Sequence, residues 1–466
     1  MRFTSIITGV SLLLLPAAAN AHTALTSSSP AKGAVVTSFT ELRVRFSERV
    51  EPNYTSVKVV GPDGVAVAMG PLTPVDTSRN REFVALSRSA VTRPGVYTVT
   101  WRAAGKDGHP ATGSFTFSVA EPARPSVDSL QRAIPVEPPI PSHADTMTVH
   151  AAESTTPSSS PVAVAVRWLN FIALLGLIGA VTFRLFILPR ALAGPGTVQM
   201  LTAAEHHVWR FAAVATLVAV IALVARLILQ SVAMHGAQNA FDGDHLRMMI
   251  TSTRWGQAWL LQLVATVAVI VTLLVSRNAR ETRHAWIVSA AAVATLAVVP
   301  ALSGHASAVD RFGAIAILSD IVHVTAAGLW LGTLAALITC GLPATSHAGA
   351  GQPDPRIHAV AQLVDTFSRL AVVAVAVVIL TGVTNAVLHL HALADLTSTA
   401  YGRTLFIKVA TLLVVLGTGF YNWRYVRPSL ATAESTGRIV RSASIEITAG
   451  ILVIAITAIL VALPTP

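Results

Sequence analysis

The chain has 466 residues, of which 53% are hydrophobic and only 12% charged, a composition that excludes a disordered polypeptide and a length sufficient for two or three domains. Its formal charge of +10, from 33 basic and 23 acidic residues, sits mostly in short loops between apolar runs, so membrane topology explains it and no nucleic-acid partner is expected. With Cys340 as the one cysteine, no intrachain disulfide or thiolate cluster can form; metal chemistry would have to use histidine, carboxylate, methionine or an amino terminus.

Residues 1–21 read as a secretory signal peptide. Arg2 is followed by an apolar run through Ile6, Ile7 and Leu12 to Leu15, and then by the small-residue cleavage pattern Ala19-Asn20-Ala21. Cleavage there makes His22 the first residue of the mature protein. The α-amine and ring nitrogen of an amino-terminal histidine can close a chelate on one copper ion.

From His22 to Val119 short strands follow one another. Leu42, Val44 and Phe46 alternate with Arg43 and Arg45, and the same period of two recurs in Tyr97, Val99 and Trp101 and in Phe115, Phe117 and Val119. Gly61-Pro62-Asp63-Gly64 and Pro94-Gly95 punctuate the runs as turns. The pattern predicts an all-β domain, a small antiparallel sandwich or barrel. Asp107 and His109 fall between the Trp101 and Phe115 strands. Separated by one residue, they point the same way if the segment is extended. With His22 they make a nitrogen-rich donor set with one carboxylate, which suits Cu(II). Because the amine must lose its proton to bind, loading is expected to weaken in acid.

The opening His22-Thr23-Ala24-Leu25, then Ser29-Pro30-Ala31, Gly33-Ala34, Phe46-Ser47-Glu48 and the late Asp107-Gly108-His109-Pro110 resemble the CopC family of periplasmic copper carriers. The resemblance implies a Greek-key β fold and a Cu(II) site made by the amino terminus and ring of His22 with Asp107 and His109. It adds Glu48 as a weaker ligand or a carboxylate behind the ligands. Family members that also hold Cu(I) use a methionine-rich segment; only Met69 is present here, so no Cu(I) site is expected in this domain. Copper monooxygenases also begin with histidine, but Asp107 would add an anionic ligand and favour Cu(II), which argues for carrying metal and against an enzyme.

Residues 120–161 are rich in proline and serine and read as a tether. His143, Met147 and His150 within it read as incidental solvated residues. Residues 162–466 form a succession of apolar runs, near 162–188, 208–231, 256–276, 285–303, 313–341, 366–390, 405–426 and 444–463, predicting an all-α bundle of about eight transmembrane helices in a lipid bilayer. The loops holding Arg277, Arg280 and Arg283, then Arg424, Arg427, Arg438 and Arg441, are the most basic and are expected in the cytoplasm. An exported first domain requires the same orientation.

This topology places His235, His245, His305, His389 and His391 at or near the outer surface, where they are candidates for a metal entry vestibule. His245 is the weakest of them because it lies beside Asp242 and Asp244 in a polar stretch. Asp320 and His323, three residues apart, share one face of the fifth helix, with His323 roughly 15 Å in from its outer start. Ionisable groups at such depth usually face a pathway or a partner, and a plain Asp–His hydrogen bond is the simpler alternative. Asn385 and His389 present another polar face. Glu446 is a weaker exit candidate.

Gly304-His305-Ala306, the run Asp320, His323, Ala326, Ala327, Trp330 and Gly332, then Phe367-Ser368, Thr381-Gly382, Tyr401-Gly402, Lys408 and Asn422 resemble the CopD family of inner-membrane copper proteins. Together the two resemblances imply a CopC-CopD fusion in the bacterial inner membrane. Such a protein would capture copper in the periplasm and import it, with other periplasmic copper proteins as further partners. The rival readings are a membrane-anchored module that only sequesters copper, and a haem- or copper-linked reductase. No ATP-binding motif is evident, so any transport runs downhill or on the membrane potential.

Overall fold

The computed structural model describes residues 23–47, 49–77, 80–105, 110–121, 160–194, 197–278, 283–303, 313–347, 353–390, 392, 394–421, 424 and 433–463. They form two compact units, one of strands and one of helices.

The strand unit holds β1 (Leu25–Ser29), β2 (Val35–Val36), β3 (Phe39–Phe46), β4 (Ser56–Val60), β5 (Thr73–Pro74), β6 (Glu82–Val91), β7 (Gly95–Ala104) and β8 (Pro110–Val119). One sheet has the order β1-β3-β6-β5 and the other β2-β8-β7-β4. The chain changes sheet repeatedly, the Greek-key habit of sandwiches. All pairs are antiparallel except β2 with β8, where the expectation of a wholly antiparallel fold fails. The short β2 lies beside the last strand and runs with it.

Alternation places Leu42, Val44 and Phe46 inside, none more than 1% exposed, and leaves Arg43 and Arg45 in water. Phe39 meets Tyr97 and Phe117 edge-on, and Phe46 meets Phe83 and Trp101 in the same manner. Each such side chain contributes about 1.5–3 kcal/mol on burial, which a sandwich without disulfides depends on. Trp101 lies across the strand from Gly113, and a Cβ there would fall 2.5 Å from its ring. Glycine is therefore needed for the indole to pack flat.

Among the described residues the helical unit has eight helices long and apolar enough to cross a membrane, with short ones between them, including a single turn at Asp395–Ser398. In chain order, the eight and one of the short helices are α1 (Pro161–Ala191), α2 (Val198–His235), the short α3 (Gly243–Ser252), α4 (Arg254–Arg277), α5 (Arg283–Ser303), α6 (Gly313–Ala344), α7 (Arg356–His389), α8 (Ala400–Tyr421) and α9 (Arg441–Leu460). The bundle is thus multi-pass, with the expected number of spans. The helix that carries α7 starts at Pro353, well before the apolar run that announced it, because its first turns carry Arg356, His358, Gln362 and Asp365.

α1 is the most buried span, and α6 packs against it closely. A Cβ on Gly332 of α6 would lie 1.9 Å from the carbonyl oxygen of Leu175, and one on Gly179 of α1 would lie 2.0 Å from Gly332. Gly328 and Gly332 form a G-x-x-x-G pair that lets the two backbones touch. The turn between them, Gly328–Gly332, is π-helical, as is Leu337–Gly341. Such bulges re-aim side chains within a helix and recur at functional sites.

Candidate metal pathway

In the strand unit, His22, Glu48, Asp107 and His109 lie outside the described residues, as do His305 and His391 in the helical unit. The described backbone beside the first four is tied together. Ala24 donates its N–H to Ser47 Oγ at 3.0 Å, and Ser47 returns an N–H to the Ala24 carbonyl at 2.8 Å. Val50 bridges to Gly105, and Glu51 donates to the Ala104 carbonyl at 2.8 Å. The segment after β3 therefore binds the start of the domain on one side and the end of β7 on the other.

In the helical unit, polar side chains gather between α6, α7 and α8. On α7, Thr381, Asn385 and His389 recur every four residues and so share one stripe. On α6, Ser319, Asp320 and His323 face that stripe. Ser319 Oγ donates to the Thr381 carbonyl at 3.4 Å, and His323 Nδ1 lies 2.9 Å from Thr381 Oγ1. Asp320 has Lys408 of α8 and His389 of α7 as electrostatic partners, and Tyr401 of α8 has Asp320. The pairing of Asp320 with His323 that their spacing offers is replaced by partners on neighbouring helices.

The hydrogen bonds point to the Nδ1–H tautomer of both histidines, most directly for His389. Thr381 has one hydroxyl hydrogen, directed to the Val377 carbonyl at 2.6 Å. Toward His323 its oxygen can only accept, so Nδ1 carries the proton and Nε2 keeps its lone pair. His389 Nδ1 lies 2.7 Å from the Asn385 carbonyl, itself only an acceptor, which leaves His389 in the same state. A histidine held through Nδ1–H with Nε2 open is the form that binds metals. Asn385 adds a buried Oδ1 that no hydrogen bond satisfies, and Gly382 leaves His323 Cε1 as the nearest atom where a Cβ would sit, at 3.6 Å. The seam thus sets acceptors beside the cationic Lys408.

Deeper in the bundle, Glu446 of α9 is 6% exposed and accepts the indole N–H of Trp330 at 3.1 Å. At the other end, His235 closes α2 and stacks on His245 of α3. Among the described residues no three or more His, Cys, Asp or Glu side chains stand where they could hold one metal ion together. Thr381 and Trp330, which the sequence offered only as motif residues, are the partners of His323 and Glu446, and His245, the weakest vestibule candidate, is the partner of His235. The four-residue recurrence of Thr381, Asn385 and His389 was the available signal for the first.

A β sandwich followed by an eight-span bundle with a polar seam defines a multi-pass membrane protein with an N-terminal β domain. Three families match in the same order: the CopC domain over residues 25–120, the copper resistance protein D-like N-terminal domain over 157–314, and copper resistance protein D over 361–460. The chain is 26% identical over 468 residues to copper transport protein CutJ of Bacillus subtilis (strain 168), an alignment covering 98% of this chain and 76% of that protein. It is 25% identical over 316 residues to copper resistance protein D of Pseudomonas syringae pv. tomato, covering 64% of this chain and 95% of that one. Copper resistance protein C of the same organism matches at 30% over 110 residues, 23% of this chain and 87% of that protein. The chain belongs to the copper resistance family as a fusion of CopC and CopD domains.

Proposed function

We propose that this protein captures Cu(II) outside the cytoplasmic membrane of a bacterium and passes copper inward through its bundle. His22, freed by signal cleavage, binds with Asp107 and His109, and Glu48 assists. The hydrogen bonds that draw the chain start, the segment after β3 and the end of β7 together support that grouping. In the bundle, copper enters past the outer histidines, His235, His305, His389 and His391, moves along the seam by Asp320 and His323, and leaves near Glu446.

The observation that carries the transport half is the hydrogen bond of His323 to Thr381, which turns the ring's other nitrogen toward use as a ligand within the polar seam of the bundle. An inside-negative potential favours inward cation movement by about 2.3 kcal/mol per charge per 100 mV, so import needs no nucleotide. The relative named as a copper transport protein spans nearly the whole chain, which supports the same reading.

Copper accumulation in cells tests it, with wild type beside His323→Ala and beside a chain lacking residues 22–119. Wild type should accumulate copper, the deletion less at low external copper, and His323→Ala at least tenfold less. Equal accumulation with and without the protein would reduce the bundle to an anchor for a sequestering domain.

A further inference from the structure

A second group of polar side chains, apart from the α6–α7–α8 seam, joins α1, α2, α4 and α9. Arg167 and Asn170 lie three residues apart on α1, and so share a face; Arg226 is on α2 and Gln262 on α4. Arg226 Nη1 donates to Gln262 Oε1 at 2.5 Å, and Gln262 Nε2 donates to Asn170 Oδ1 at 2.7 Å. Arg167 Nη1 donates to the Ala458 carbonyl of α9 at 3.2 Å, and Trp168 beside it donates its indole N–H to the Ile451 carbonyl of the same helix at 3.3 Å. The Arg226 guanidinium stands 5.9 Å from the ring centroid of Trp255 on α4.

This group carries charge that nothing balances. A guanidinium stays protonated in proteins and offers five N–H donors. Each of these two makes one hydrogen bond among the described residues, and to a neutral acceptor. No described carboxylate interacts with either; the charged neighbour of Arg226 is Arg167, of the same sign. Two part-exposed cations held side by side in an apolar bundle call for an anion.

Depth identifies the anion. At 1.5 Å per residue α1, α2 and α4 are about 46, 57 and 36 Å long, so helices centred on a hydrocarbon core of about 30 Å overhang it by about 8, 13 and 3 Å at each end. Arg167 lies about 9 Å from the start of α1, Arg226 about 14 Å from the end of α2, and Trp255 about 2 Å from the start of α4. All three therefore fall at one boundary, where tryptophans collect and where an arginine reaches the lipid phosphates.

We propose that Arg167 and Arg226 bind the phosphate of an anionic phospholipid at the end of the bundle where α1 begins. Gln262, itself held by Asn170, fixes one guanidinium, and the Ala458 carbonyl fixes the other, so both are oriented before the lipid arrives. A zwitterionic lipid suits the pair less well, because its ammonium brings a third cation to the group. The proposal is independent of copper, since none of these residues belongs to the seam or to the β domain.

The test is native mass spectrometry of the purified full chain in detergent, titrated with phosphatidylglycerol, phosphatidylethanolamine or diacylglycerol. One phosphatidylglycerol should be retained, at least fivefold more tightly than phosphatidylethanolamine, and diacylglycerol should not be retained. Affinity should fall at least tenfold in Arg167→Gln with Arg226→Gln. Arg190→Gln, at the opposite end of α1, should leave it unchanged. Thermal unfolding without lipid shows whether the variants fold, and Arg167→Lys with Arg226→Lys replaces a glutamine pair that does not; it should still lose several-fold, because an ammonium lacks the guanidinium fork. Undiminished phosphatidylglycerol retention in the folded double variant, or equal retention of diacylglycerol, would overturn the site. Inorganic phosphate that raises the Tm through the same two arginines, with no lipid retained, would overturn the lipid as its ligand.

Discussion

Trp330, in the π-helical turn of α6, donates its indole N–H to Oε1 of Glu446 on α9 at 3.1 Å. The bulge aims the indole at the carboxylate, and Gly419 of α8 leaves room beside it, since a Cβ there would lie 3.4 Å from Oε1. Removing the donor and removing the charge should therefore have different effects. Trp330→Phe should destabilise the bundle by about 1–3 kcal/mol, the cost of a buried group losing a partner. Glu446→Gln keeps an acceptor and should melt close to wild type while lowering the copper exit rate. Thermal unfolding in detergent and copper release from loaded vesicles separate the two.

Thr381→Val removes the acceptor that holds His323 Nδ1–H and leaves the ring free to rotate and change tautomer. A partner that orients a ligand is worth about 10- to 100-fold in metal affinity. Copper uptake by Thr381→Val should fall within that range, and Thr381→Ser should restore it. Uptake by Thr381→Val equal to wild type would show that the hydroxyl only packs.

Gly332→Ala should disrupt assembly of the bundle. Its methyl group would sit 1.9 Å from the Leu175 carbonyl, an immovable backbone atom on the central helix. Overpacking of this kind costs about 1–3 kcal/mol or more. The expected result is a lower Tm in detergent and a smaller folded yield. Gly417→Ala, where a Cβ meets nothing within 4 Å, is the control and should behave as wild type.

The strand unit should unfold in alkali. Burial, aided by Glu51, pushes the Tyr54 hydroxyl up to about 12, and burial also raises that of Tyr97. Both favour the protonated form in the fold. Their contribution is complete below the unfolded value near 10 and is lost as pH rises through about 12. Since the unit has its own two sheets and core, the isolated domain should show little tyrosinate absorbance at pH 10. Tyrosinate should then appear together with loss of structure.

How much of this was legible depends on the range of the signal. Leu42, Val44 and Phe46 declared their strand because burial of one face imposes a period of two on neighbouring residues. The spans declared themselves by length and hydropathy, but α3 did not, since Asp242, Asp244 and Arg247 read as a polar loop although Asp242 is an ordinary helix cap. His245 was discounted for its acidic neighbours in sequence, yet the turn after Gly236 swings it onto His235. His323 was paired with Asp320 by helix spacing, whereas its partner lies 58 residues away on α7. Spacing reports which residues share a face, and only packing decides what that face meets.

The most direct test is the copper flux into proteoliposomes holding the purified full chain under an imposed inside-negative potential. With the potential applied, wild-type flux should rise, and His323→Ala should lose at least nine-tenths of it while still folding and still binding Cu(II) at its β domain. Flux through His323→Ala equal to wild type, or wild-type flux no greater than that of protein-free vesicles, would contradict the account.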